Sequence, residues 1–140
     1  MTFLLDTNVL SELRRRYPDV GVVQWFGDIA SEEMWISVIS LGEIRDGIER
    51  LRRRDVVQAA RLERWFRVLR TEYADRAIPI SAEIADEWGR RMNAVQTIPV
   101  ADGLIAATAV VSGLTLVTRN AADMEHTGAQ VLNPFSGMSG

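Results

Sequence analysis

Four carboxylates stand where an α/β chain keeps its chemistry. Asp6 closes the apolar run Phe3-Leu4-Leu5, and Glu43 follows the run from Ile36 to Ile39 by a few residues. Asp102 opens the helix-like stretch Leu104 to Val111, and Asp123 lies just past Leu114 to Thr118. In an open α/β sheet, ligands bind at the carboxyl ends of the strands. Acids gathered there suit hard, oxygen-loving cations such as Mg²⁺ or Mn²⁺. Clustered like charges repel, and a cation is their natural compensation.

Each acid also has a plainer reading. Ser40-Leu-Gly-Glu43 matches a capping box, in which the Glu bonds back to the N-cap amide. Asp102 in a first helical turn favours the helix dipole. Asp6, with Thr7 and Asn8, can cap the following helix, and Asp123 can cap a short turn. What speaks for a site is coincidence: different strands and helix starts bring these acids to one sheet edge. His126 is the only histidine and there is no cysteine, so zinc-thiolate sites, thiol chemistry and a His-based triad are poorly supported. Trp25, Trp35, Trp65 and Trp88 are spread among several segments and read as core or interface anchors rather than a base-stacking platform.

The elements that must position the acids follow from periodicity. Thr2 to Leu5 reads as a buried strand, followed by a helix from Val9 to about Arg16 that Tyr17-Pro18 stops. Val20 to Ile29 has helical spacing, and Met34 to Ile39 is a β-branched strand. Ser40 starts a helix to about Arg54, and Val56 to Tyr73 is a long amphipathic helix with Leu62, Phe66 and Leu69 on its apolar face. Ala77 to Ile80 is a short strand, and Ser81 caps a helix to about Ala94. Pro99 suits the first turn of a helix ending near Gly113. Leu114 to Val117 and Ala129 to Leu132 are strands, and residues 134–140 form a small-residue tail expected to fray. Short apolar strands alternating with helices predict a parallel sheet with helices on both faces. Glu43 and Asp102 then fall in first helical turns.

Composition narrows the function classes. The 140 residues suit one domain, and 47% hydrophobic with 25% charged residues is ordinary for a globular protein with a real core. No apolar run is long enough to span a bilayer. Met1 to Asp6 lacks a basic n-region and meets an acid at once, which argues against a signal peptide. Absence of cysteine fits a cytoplasmic protein. The net charge of −3 gives no global nucleic-acid signature, so distribution matters more. All 16 basic residues are arginine, and the missing lysine excludes a Walker-A loop. The run Arg50 to Arg54 reads as a solvated helix end that would suit phosphates if it flanked the acids.

The segments Leu5-Asp6-Thr7-Asn8-Val9-Leu10-Ser11-Glu12, Ser37-Val-Ile-Ser-Leu-Gly-Glu43-Ile44, Ala101-Asp102-Gly-Leu-Ile-Ala-Ala-Thr-Ala109 and Leu116-Val-Thr-Arg-Asn120 lie in this order along nearly the whole chain. Together they resemble the PIN-domain ribonucleases, and within them the VapC toxins of bacterial toxin–antitoxin pairs. The Asp-Thr-Asn-Val-Leu-Ser-Glu opening and the Asn133-Pro134-Phe135 ending are similar to the FitB-like branch.

The resemblance implies a single PIN-like domain over residues 1–133, with about five parallel strands, and a C-terminal tail over 134–140. It implies Asp6, Glu43 and Asp102 as the acids and metal ligands, with either Asn120 or Asp123 completing the site. Thr7, Asn8 and Thr118 would be hydrogen-bonding supports. The implied activity is Mg²⁺-dependent (Mn²⁺ substituting) hydrolysis of RNA phosphodiester bonds. The implied partners are a VapB- or FitA-like antitoxin and a second copy of this chain, with helices around Trp65 and Trp88 suited to dimer contacts. A larger heteromer reaching operator DNA only through the antitoxin completes that expectation, with no membrane involved. One rival is a catalytically weak PIN-domain binding module acting in an antitoxin- and DNA-bound complex, which the Asn at position 120 keeps open. Haloacid-dehalogenase-like chemistry needs Asp-x-Asp where this chain has Asp6-Thr7-Asn8, and it needs a lysine.

Overall fold

In the computed structural model, which describes residues 2–92 and 98–137, Leu4 and Leu5 are neighbours in one strand and both are fully buried, yet they pack into different cores. Successive strand side chains point to opposite faces, so an all-apolar strand requires cover on both sides of its sheet. The strand is β1 (Phe3–Leu5). β2 (Met34–Ser37) and β4 (Thr115–Val117) repeat the division. Met34, Ile36 and Val117 join Leu5, whereas Trp35 and Leu116 join Leu4.

Two short edge strands, β3 (Ala77–Ile78) and β5 (Val131–Leu132), complete a five-stranded sheet of order β3-β2-β1-β4-β5. Every neighbouring pair is parallel. β1 therefore lies between β2 and β4, and the strand order reverses at the β1–β4 seam. β3 stops before Pro79, which has no amide to donate to a ladder.

One face is covered by α1 (Thr7–Leu13), α2 (Val20–Asp28), α3 (Val38–Arg52) and α4 (Val56–Glu72). They contribute Val9, Leu10, Val22, Ile44, Ile48 and Phe66 to the first core. The other face is covered by α5 (Ala82–Glu87), which runs into a π-helical turn over Trp88–Met92, by α6 (Val100–Ser112), and by the short α7 (Ala121–Met124). Gly103, Ala106, Ala107 and Ala109 are buried in α6, and such small residues let that helix lie close on the sheet. Gly113 ends α6 in the left-handed conformation at φ 68°, the C-terminal position where glycine avoids a Cβ clash.

Several boundaries differ from the sequence reading. α1 begins at Thr7 because the Asp6 carboxyl accepts from the Thr7 amide, and it ends at Leu13 rather than near Arg16. β2 stops at Ser37, whose hydroxyl accepts from the Ile39 amide and starts α3 three residues earlier than expected. The β-branched pair Val38-Ile39 looks like strand but is helical, since Ile39 packs into the second core. The helix expected to run to Ala94 reaches positions outside the described residues. The segment 134–137 does not hang free: Phe135 packs against the first core, and the Ser136 amide and hydroxyl both donate to Asp19. A Cβ on Gly21 would stand 2.5 Å from the Pro134 carbonyl oxygen, so glycine is what lets that segment approach the start of α2. Among the described residues, no helix is long and apolar enough to cross a membrane.

Candidate active site

Parallel pairing of Leu5 with Val117 makes the next residues of both strands, Asp6 and Thr118, emerge side by side at the carboxyl edge. The Asp6 amide still donates to the Val117 carbonyl at 2.9 Å, so the ladder holds up to the acid itself. This is the β1–β4 seam where strand order reverses, the crevice in which open α/β sheets bind ligands.

The Asp6 carboxyl is only 4% exposed and both its oxygens are tied. Oδ1 accepts from the Thr7 amide at 2.7 Å, and Oδ2 accepts from the Thr118 hydroxyl at 2.8 Å and from Asn8 Nδ2 at 3.4 Å. Thr118 Oγ1 itself accepts from Asn8 Nδ2 and from the Asn120 amide. A hydroxyl with one donor and two acceptor lone pairs is thereby fully used. Asn8 Oδ1 accepts from the Arg119 amide, which fastens the turn after β4 to the start of α1.

Glu43 reaches the same edge from α3. Because that helix starts at Val38, Glu43 lies in the second turn rather than the first, and the capping-box reading of Ser40-Leu-Gly-Glu43 does not hold. Thr7 Oγ1 donates to Glu43 Oε1 at 2.6 Å and lies 2.8 Å from the fully buried Ser40 hydroxyl. Ser40 is a support that the sequence reading assigned to helix capping. Asp102 is in the first turn of α6, as expected, and is partly buried.

Electrostatics gathers these acids into one group. Burial, more than any other cause, raises the Asp6 carboxyl to about 6; the bonds from Thr118 and Thr7 oppose this, and the charges of Asp102 and Glu43 add to it. Asp102 is raised by burial first and then by Glu43 and Asp123. Among the described residues no arginine pairs with any of the four acids. Asp123, exposed on α7, is thus near enough to act on Asp102. Asn120 precedes α7, exposed and with no capping bond from its side chain. His126 is exposed, as expected for a surface histidine.

The donor set is oxygen throughout, and among the described residues no arginine offsets the acids, a chemistry that fits a hard divalent ion. Among the described residues, no three or more of His, Asp and Glu close into a ready-made metal cage. That is compatible with Mg²⁺, which keeps several waters and binds through one or two carboxylates.

The PIN domain family matches residues 3–129 of the chain. The VapC ribonuclease Y4jK of Sinorhizobium fredii is 35% identical, with 94% of this chain and 96% of that protein covered. The toxin FitB of Neisseria gonorrhoeae is 33% identical, over 94% of this chain and 97% of that protein. The crystal structure of FitAcB from the same organism superposes with a TM-score of 0.86 and 31% identity, covering 95% of this chain and 98% of that chain.

Proposed function

Because the chain belongs to the PIN domain family, we propose that it is the ribonuclease toxin of a toxin–antitoxin pair, cutting RNA phosphodiester bonds at the acidic rim with Mg²⁺ or Mn²⁺. The observation that carries this reading is Asp6: a buried carboxylate, locked by Thr7 and Thr118, pressed by Asp102 and Glu43, and given no cation by a chain with 16 arginines.

Asp6 and Asp102 would hold the ion, with Glu43 bound directly or through water and Asp123 completing the acidic group in preference to Asn120. The coupling of Asp123 to Asp102 supports that preference. An ion bound there would supply Lewis-acid chemistry, offsetting charge on the phosphate oxygens and lowering the pKa of a water so that hydroxide is available near neutral pH. The residues of the chain do the positioning. Thr118 and the Thr7 amide fix both Asp6 oxygens, and the Thr7 hydroxyl fixes Glu43, so little reorganisation remains when substrate arrives. Hydrolysis by in-line attack leaves 5′-phosphate and 3′-hydroxyl ends.

The partner is an antitoxin of the FitA or VapB kind, acting with this chain in the cytoplasm. An apolar groove of about 320 Å³, lined by Leu10, Leu13, Phe26, Trp65, Val68 and Tyr73, suits its apolar side, and the acidic rim suits a basic side chain from it. The domain is taken to extend over residues 1–133, with Phe135 and Ser136 of the following segment packed back onto it. The test is cleavage of total RNA and of a tRNA pool by purified protein, with Mg²⁺ or Mn²⁺ and with EDTA, beside Asp6→Asn. Metal-dependent cutting that the substitution removes is the expected outcome. No cutting by folded, antitoxin-free protein would favour a binding module instead.

A further inference from the structure

The arginine runs are the feature of the sequence that this chemistry leaves unused, and the structure sorts them. Arg45, Arg50, Arg52, Arg67, Arg90 and Arg91 each hold an acid. Arg14, Arg54 and Arg61 are exposed and have no acidic partner among the described residues. These three line two cavities with a common wall. The first, about 250 Å³, contains Thr7 and Glu43 of the acidic rim together with Arg14 and Arg54. The second, about 350 Å³, contains Arg14 again, with Arg61. Leu51, Leu62 and Trp65 belong to both. They form one groove leading from the acids across α1, α3 and α4, with an apolar floor.

Arg14 and Arg54 share a cavity with Glu43 yet form no ion pair with it. A groove with unpaired guanidinium groups on its walls and an indole in its floor matches a strand with phosphates on one side and stacking faces on the other. Such a strand must also approach a rim of four acids, whose repulsion of phosphate needs nearby positive charge to offset it.

We propose that this groove is the track for single-stranded RNA beside the scissile phosphate, with Arg14, Arg54 and Arg61 on its phosphates and Trp65 beneath a base. The inference rests on the ribonuclease reading of the rim. The three arginines are positioning residues that hold the substrate and take no part in bond cleavage.

Binding is measured by fluorescence anisotropy with a short fluorescein-labelled single-stranded RNA, in EDTA so that no cleavage intervenes, across a salt titration. The triple substitution Arg14→Gln, Arg54→Gln, Arg61→Gln is expected to weaken binding about tenfold or more at low salt. The slope of log affinity against log salt should fall by roughly 2, at ~0.7 for each single-strand phosphate that an arginine no longer neutralises. With metal added, the same variant should show a raised KM and a kcat near wild type. Arg90→Gln with Arg91→Gln, on the opposite layer, should bind as wild type does. Exposed positions without an acidic partner predict an unchanged melting temperature in the triple variant, whereas the control gives up the pairs with Asp86 and the largely buried Glu87 and should melt somewhat lower while still binding RNA. Unchanged RNA affinity in the triple variant, or no RNA binding by the wild type at low salt, would overturn the track and leave the groove to an acidic protein partner. Asp6→Asn keeps the two readings apart. Cleavage surviving in it defeats the assignment of the rim, whereas the track stands or falls on anisotropy alone.

Discussion

The acidic rim and the α3–α4 hairpin treat the same kind of residue in opposite ways. On the hairpin, Glu49 is held by Arg45 and Arg52, and Glu63 is held by Arg45, Arg52 and Arg67. Both carboxyls are lowered, each chiefly by the hydrogen bond from Arg52. On the rim, Asp6 is raised to about 6 and Asp102 is raised too, burial leading in both. The hairpin is a screened surface network worth little per pair. The rim sets a buried Asp6 beside the half-buried Glu43 and Asp102, where one arginine would have relieved their repulsion. A chain with arginine to spare that withholds it from its most buried carboxylate leaves room for a different cation. Strain confined to one site and absent from the hairpin is the pattern expected of a functional centre.

That contrast breaks most visibly at Asp102. Its side chain makes no hydrogen bond among the described residues, so Asp102→Asn removes charge and little else. RNA cleavage should fall by at least ~10²-fold, the scale of losing one transition-state interaction. The melting temperature of the metal-free protein should rise, because repulsion with Glu43 ends. Lower stability in EDTA would mean that the rim is not strained as described. Thr118→Val comes next. It keeps the shape of a fully buried side chain but deletes the hydroxyl that joins Asp6, Asn8 and the Asn120 amide. Losing a group that orients a ligand costs about 10–100-fold in activity or metal affinity, and Thr118→Ser should restore most of it.

Much of this contrast was legible in the chain. The runs Phe3-Leu4-Leu5 and Leu114 to Val117 announced buried parallel strands, which brought Asp6 and the segment after Thr118 to one edge. Asp102 was legible because Pro99 marks a helix start just before it. Glu43 was found for the right edge but in the wrong turn. Ser37 and Ser40 are equally good caps by type, but in the fold Ser37 caps α3 while Ser40 is buried against Thr7 and Ile39 packs on the second core. The unpaired arginines were not legible at all. Arg50, Arg52, Arg53 and Arg54 form one run, yet Arg52 turns to Glu63 while Arg54 lines the cavity of Glu43. That sorting depends on how α4 folds back on α3, which joins segments distant in sequence. The anchoring of Ser136 by Asp19 was hidden for the same reason.

Smaller effects sharpen the comparison through pH. The Asp6 carboxyl moves from 3.8 to about 6 on folding, so between those values the folded chain holds a proton that the unfolded chain has released. Its contribution to stability is complete below pH ~4 and is lost as pH rises through about 6, on the order of 3 kcal/mol for one group. In EDTA, denaturant titrations should therefore show stability falling between pH 4 and pH 6. Excess Mg²⁺ should offset the fall at neutral pH, since an ion that binds only the folded chain stabilises it. A metal-free stability that climbs steadily across that window would contradict the raised carboxyl.

The hairpin has the opposite sign and the smallest size. Glu63 is lowered from 4.5, so its contribution is present above that pH and is lost as pH falls below it. Glu63→Gln should lower the melting temperature slightly at neutral pH, by less at high salt, where screening already weakens the network. It should leave RNA cleavage and its metal dependence unchanged, because none of its partners touches the rim. The pH slope above 4.5 should survive in this variant, since it belongs to Asp6, while the loss of stability at lower pH becomes shallower. Were cleavage to fall along with stability, the rim and the hairpin would be one coupled unit, and the arginines of α3 would be supporting the acids they do not touch.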